Sequence, residues 1–335
     1  MTATRRSVLA LAATSLALSG APARAQARTV RIAKQFGIGY LPLTIMEEKQ
    51  LLEEHARKLG LEAKTEWVQF TGGTPMNEAL ISGNLDFASG GVGPLLTIWA
   101  RTRANLGVKG VASLNSMPLF LNTINPNVKT LKDFTDKDKI ALPAVRTSIQ
   151  AVTLQMAAEK EFGPGNHGKL DPLTVSMSHP DATAAMLSGR SEITAHFTSA
   201  PFQYTQLEDS RVRKVLDSYE VMGGPHTFNS VWAMDKLYRD EPKVVQAFLA
   251  ALEQSMQMIA ADPAGMAALW VKAEKSRVTP EATEKLIRAS ENEWTMVPKN
   301  IMGYAEFMSR VGLIPAKPAS WQDVFFPDIH RHPGS

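Results

Sequence analysis

The stretch Ala79-Leu-Ile-Ser-Gly83-Asn-Leu-Asp-Phe87 returns 106 positions later as Ala185-Met-Leu-Ser-Gly189-Arg-Ser-Glu-Ile193. Only the Ala, Ser and Gly are identical, but the flanking pattern recurs too. In each copy an apolar run (67–70 and 173–177) passes through a Gly- or Pro-marked loop into a short amphipathic helix, a Ser-Gly stop and a second apolar run. That is the signature of a β-α-β unit made twice. A chain built this way has two lobes to form, and its 335 residues match about two domains of roughly 150 residues each.

The first 25 residues are of a different kind. Arg5-Arg6, an apolar run over 8–18 and Ala23-Arg24-Ala25 have the form of a secretory leader with a small-x-small cleavage site, so the mature chain is expected to begin near Gln26. The Arg pair also fits a twin-arginine signal, as it fits an ordinary basic leader. Eleven apolar residues fall short of the roughly 20 needed to span a bilayer, which implies soluble export. With the three leader arginines removed, 33 basic residues face 33 acidic ones. The mature chain then has no charge argument for binding nucleic acid or a membrane surface. Absence of cysteine excludes disulfides, thiolate metal sites, a cysteine nucleophile and a lipid-modified amino-terminal Cys. A free periplasmic protein fits these features.

Along the mature chain, residues 29–33 alternate as a strand and 41–52 carry helical apolar spacing. Strands are then expected at 63–70, 86–88 and 108–114, with helices at 74–81 and 94–101. A polar connection near 125–134 marks a crossing between lobes. The second lobe repeats the alternation, with strands at 139–142, 173–177, 192–196 and 212–216 and helices at 148–161, 181–187 and 201–207. After Gly223-Gly224-Pro225, a strand at 227–234 returns the chain to the first lobe. Helices follow at 242–261, 263–275, 280–291 and 299–311, and a Pro-rich tail from 314 reads as a surface strap. The expected architecture is α/β, with two mostly parallel sheets flanked by helices and two crossings. Lobe 1 takes residues 26–121 and 226–335, and lobe 2 takes 122–225.

In open α/β sheets ligands sit outside the carboxyl ends of strands, so the loops there hold the candidates. Gly90, Gly91 and Val92 lie in a glycine-rich turn feeding a helix whose unpaired N–H groups suit an anion; a plain tight turn explains the same letters. Thr71, Gly72 and Gly73 occupy a similar loop. Arg146, Thr147 and Ser148 do so in the second lobe, where Arg146 either clamps a sulfonate or carboxylate or is a solvated or lobe-bridging charge, and the hydroxyls either contact a ligand or simply cap a helix. His179 and His196 end matching strands and suggest hydrogen bonds within one pocket, the alternative being buried structural histidines. Gln35 and Tyr40 follow the first strand, and Tyr40 can stack on a ligand. Phe36, Phe197 and Phe202 read as core. The glycines at 90, 91 and 93 do not make a GxGxxG fingerprint and no metal triplet appears, so no cofactor is expected.

Several of these segments resemble the solute-binding proteins of nitrate, taurine and sulfonate ABC importers, a family that includes pyrimidine-precursor binders. They are Gly39-Tyr-Leu-Pro-Leu43, Phe70-Thr-Gly-Gly73, 78–88, Gly90-Gly91 with Pro94, Ala141-Leu-Pro143, His179-Pro-Asp-Ala182 and Leu187-Ser-Gly189. The resemblance implies a two-lobed type II periplasmic-binding-protein fold that closes on a ligand, and the chain is expected to be monomeric. Its implied partners are a small-molecule ligand and the permease subunits of an ABC importer with its cytoplasmic ATPase. A small organic anion, sulfonate, taurine or nitrate-like or a carboxylate, is the expected ligand, with a pyrimidine or other heterocycle as the alternative. An enzyme on this architecture, such as a desulfinase, has no G-x-S-x-G elbow or carboxylate pair to support it. A cysteine-rich pyrimidine synthase is disfavoured because the chain lacks cysteine.

Overall fold

A computed structural model describes residues 27–335, so the leader and its cleavage site lie outside the described residues. The chain begins with β1 (Arg28–Lys34), α1 (Leu41–Glu48), α2 (Leu51–Lys58), β2 (Ala63–Gln69), α3 (Gly73–Ile81), β3 (Ala88–Gly91), α4 (Val92–Thr102) and β4 (Lys109–Ser113). It then crosses to β5 (Phe120–Thr123), β6 (Lys139–Leu142), α5 (Ile149–Phe162), β7 (Thr174–Ser176), α6 (His179–Ser188), β8 (Ile193–Thr198), α7 (Phe202–Leu207), β9 (Arg213–Asp217) and α8 (Ser218–Met222). The return gives β10 (Asn229–Ala233), α9 (Asp235–Asp240), α10 (Pro242–Ala261), α11 (Pro263–Ala273), α12 (Pro280–Arg288), α13 (Ile301–Arg310) and α14 (Trp321–Val324).

The second sheet has the order β7-β6-β8-β5-β9. The first is two ladders, β1-β2 and β3-β10-β4, joined where Ile32 bridges Phe87 and the Ala33 N–H donates to Phe87 O at 2.9 Å. Its order is therefore β2-β1-β3-β10-β4, the same plan strand for strand. Each sheet is mostly parallel, as expected, and is made mixed by a single strand, β10 or β5, which pairs antiparallel with both neighbours. That strand is the one that arrives by a crossing.

The sequence repeat has a local cause. Gly83 (φ 77°) and Gly189 (φ 64°) adopt the left-handed conformation that ends α3 and α6. The Ser82 hydroxyl donates to Ala79 O at 3.1 Å, and the Ser188 hydroxyl donates to Ala185 O at 2.7 Å. The three letters common to both copies thus build one helix stop twice.

Three expectations need correction. The helix expected over 41–52 breaks at Gln50, which is left-handed (φ 52°), because the polar residues 47–50 interrupt the apolar stripe. α2 starts a new stripe of Leu51, Leu52 and Ala56, packed on α10. Ser89, Gly90 and Gly91 belong to β3 rather than to a turn, and they pair with Val231, Ser230 and Asn229. Glycine in a strand here marks close approach: a Cβ on Gly90 would stand 2.7 Å from the Gln35 amide nitrogen and 3.2 Å from the Trp232 ring. Finally, the tail is no surface strap. Trp321, Val324, Phe325, Phe326 and Ile329 are buried, and Phe325 lies on β4 against Gly110, too close for any side chain there.

Candidate functional site

The strand ends of both sheets converge on one narrow cleft whose free interior is about 20 Å³, room for about one water molecule while the walls stand this close. Gln35, Phe36 and Tyr40 reach it after β1, Gly73 opens α3, Gly91 ends β3, Pro94 lies in α4, and Phe228 and Asn229 lead into β10. From the other side come Pro143, Ser148, Ile149 and Gln150 after β6, and His179 after β7. A wider groove between α10 and the tail has no strand end in its wall.

The amino-termini of α3, α4, α5 and α6 all contribute to this lining, and each carries unpaired N–H groups and a partial positive charge. Among the described residues no Lys, Arg, Asp or Glu lines the cleft. Its polar groups are largely committed on one side. Gln35 Nε2 donates to Ser89 O at 3.1 Å, which leaves its oxygen as the free acceptor. The Tyr40 hydroxyl donates to Asn229 Oδ1 at 3.3 Å, while Asn229 Nδ2 is buried with no partner. An unbonded buried amide donor costs about 1–3 kcal/mol, a debt a ligand acceptor would remove. Ser148 Oγ donates to Ala144 O at 2.7 Å and accepts from the Ala151 N–H at 3.2 Å, so it works as a helix cap.

His179 in the cleft wall and His196 behind it form a tilted pair, ring planes 43° apart, with His179 Nδ1 and His196 Nε2 3.0 Å apart. Burial drives the His179 pKa down to about 3. Burial, with His179 as a second cause, also holds His196 well below its ordinary range. Both rings are neutral at physiological pH and act as hydrogen-bonding groups rather than cations. Phe202 flanks His179 with ring centroids 5.6 Å apart.

Of the residues singled out from sequence, Gln35, Tyr40, Gly73, Gly91, Ser148 and His179 meet in the cleft and the others do not. Gly72 is pressed against the Pro143 carbonyl, and Gly90 against Gln35 and Trp232. Val92 is buried, and Thr71 is exposed. Arg146 is exposed with a left-handed backbone (φ 63°) and does not line the cleft, so the expected clamp is not formed there. The Thr147 hydroxyl lies 3.2 Å from that of Thr74, linking the two halves at the rim. His196 contacts the cleft only through His179. Phe36, read as core, is a wall of the cleft, whereas Phe197 is core.

Sequence reasoning missed Pro94, Pro143, Ile149, Gln150, Phe228 and Asn229 as lining residues. Gln150 had a usable signal, being in the first turn after the Ser148 cap. Phe228 and Asn229 had one too, as the first residues after a crossing, where the chain must pass the cleft.

The alkanesulfonate-binding protein SsuA of Xanthomonas axonopodis pv. citri, bound to MOPS, superposes with a TM-score of 0.69 at 18% identity, covering 88% of this chain and 96% of that one. The periplasmic aliphatic sulphonate-binding protein SsuA of Escherichia coli gives 0.64 at 19% identity over 90% and 92%. The periplasmic nitrate-binding protein NrtA of Synechocystis PCC 6803 gives 0.69 at 15% identity over 89% and 85%. These likenesses establish a common fold, the α/β periplasmic-binding-protein architecture. No curated protein matches by sequence. The NMT1/THI5-like family model matches residues 68–266, more than half of the 335-residue chain, and the protein belongs to that family.

Proposed function

We propose that the protein is the periplasmic solute-binding component of an ABC importer, capturing one small organic molecule between its halves and delivering it to a membrane permease. The sulfonate- and nitrate-binding proteins of the same fold support the class, as does the family. The leader features support export, and among the described residues no helix is long and apolar enough to cross a membrane. In this reading residues 26–121 with 226–335 form one lobe and 122–225 the other, and the monomer is the working unit.

The observation that carries the ligand reading is a cleft walled by Phe36, Phe228 and Tyr40, holding unspent donors and an acceptor but no charged side chain. A flat heterocycle or amide with both donor and acceptor edges matches these groups best, since a charged solute would meet no charged side chain there. The four helix amino-termini favour a second reading, a small organic anion held by N–H groups alone, as the sequence led us to expect. Capture rather than turnover is supported by Ser148 being spent as a cap and by both histidines being held neutral. Calorimetric titration with cytosine, nicotinamide, methanesulfonate, taurine and nitrate tests the proposal. Heat from the ring compounds supports the first reading, and heat from the anions alone supports the second. Silence across the panel would count against both readings, and turnover of any member in an assay would replace them with the enzyme reading.

A further inference from the structure

The pocket-facing nitrogen of His179 has its protonation set by a chain of hydrogen bonds that begins at a group unable to turn over. Gln203 O is a backbone carbonyl in α7 and can only accept. Asn122 on β5 therefore presents Nδ2 to it, at 2.9 Å, and gives its other amide hydrogen to Gln206 Oε1 at 3.0 Å. Because the Gln206 oxygen is fixed toward Asn122, the Gln206 nitrogen faces Thr183 Oγ1 at 2.9 Å and His196 Nδ1 at 2.7 Å. Two hydrogens meet two acceptors. His196 Nδ1 must then accept, so its ring hydrogen sits on Nε2 and is donated to His179 Nδ1 at 3.0 Å. The Thr198 hydroxyl, 3.1 Å from the same His179 nitrogen, shares that nitrogen's single lone pair with the His196 N–H in a three-centre contact.

His179 is left with its hydrogen on Nε2. That nitrogen lies 3.5 Å from Gln150 Nε2, a donor-to-donor contact relieved either by turning the Gln150 amide so that its oxygen accepts or by a solute acceptor placed between the two groups. Asn122, Gln203, Gln206, His196 and Thr198 are fully buried, so the order is set by these groups out of reach of bulk solvent. Turning over any amide in the chain would set two acceptors or two donors face to face inside the core.

We propose that His196, locked by Gln206 and Asn122, is a positioning residue that fixes His179 as a hydrogen-bond donor, so that the cleft selects solutes bearing an acceptor at this point. The inference deepens the solute-binding reading and rests on it for its functional meaning. The relay itself exists in the protein without ligand and can be measured there.

The test is nitrogen NMR on ¹⁵N-histidine-labelled protein free of solute, with the His179 resonances identified by their loss in His179→Asn. Both rings should show a pyridine-type Nδ1 and a pyrrole-type Nε2. A scalar coupling across the N–H···N hydrogen bond should join His196 Nε2 to His179 Nδ1. In Gln206→Met the lock is removed, and a second tautomer should appear at His196 and, through it, at His179. A pyrrole-type His179 Nδ1 in the native protein, or no coupling between the rings, would overturn the relay. Were Gln206→Met not to fold, the native spectrum alone would decide. Correct tautomers in a protein that binds no member of the solute panel would instead count against the solute-binding reading and leave the relay standing.

Discussion

Gly93 of α4 touches the backbone of Thr147 from the opposite half so closely that a Cβ on Gly93 would lie 2.5 Å from the Thr147 carbonyl oxygen. Gly72 stands likewise against Pro143 O, at 2.8 Å, and Gly91 against the Ile149 side chain, at 2.6 Å. The halves are shut on bare backbone. Since real Cβ atoms do not approach backbone so closely, Gly93→Ala should hold the cleft ajar. We expect at least a tenfold rise in Kd, about 1.4 kcal/mol, with little change in Tm, and a larger radius of gyration by X-ray scattering at saturating solute. An unchanged radius would show that closure does not depend on this contact.

Asn229 supplies the unpartnered donor, so Asn229→Ala should weaken solute binding by about 1–3 kcal/mol, roughly 5- to 150-fold in Kd by calorimetry. Tyr40→Phe removes only the hydroxyl that donates to Asn229 Oδ1. It should change Kd by less than about fivefold, since that bond is long and contributes about 1 kcal/mol or less.

The pH dependence of stability follows from the buried imidazoles. Burial lowers the pKa of His179 to about 3 and that of His226, in the crossing segment, to about 4. The unfolded chain takes up these protons from about pH 6.5 downward while the folded chain does not. Stability is therefore at its full value above that pH and falls as acid is added, until the folded pKa values are reached. Each of the two contributes a slope of about 1.4 kcal/mol per pH unit between roughly pH 5.5 and 4.5. Urea titrations at pH 7, 5.5 and 4.5 would show it, and a flat profile would contradict the neutral burial of these rings.

The tail is tested through Phe325, whose ring fills the space left open at Gly110. Phe325→Ala should cost about 3–5 kcal/mol in urea unfolding, as for a fully buried aromatic, whereas a true strap would lose almost nothing.

Much of the architecture was legible because local physics wrote it. The Ser-Gly stops, the Pro residues opening α10, α11 and α12, and the period-two strands follow from backbone rules that act within a few residues. The site was legible only by element. Strand-end loops do line the cleft, yet Gly90 and Gly91 were read as a turn because their constraint comes from Trp232, Gln35 and Ile149, all distant in sequence. His196 was placed in the pocket rather than behind it, since strand position does not reveal which histidine stands in front. The burial of the tail depends on Gly110, more than 200 residues earlier, and no local pattern carries it.

The threading of the sheets bears on how the molecule is made. The five strands of the second sheet come from one unbroken stretch, residues 120–217, while β10, which fills the gap between β3 and β4, is translated only afterwards. Entering and leaving chains are stitched side by side, Leu114 N–H to Asn229 O at 2.8 Å and Phe228 N–H to Asn115 O at 3.1 Å. A ribosome therefore finishes the inserted half while its host still lacks a middle strand, and assembly of the host must wait for a segment delivered by its guest.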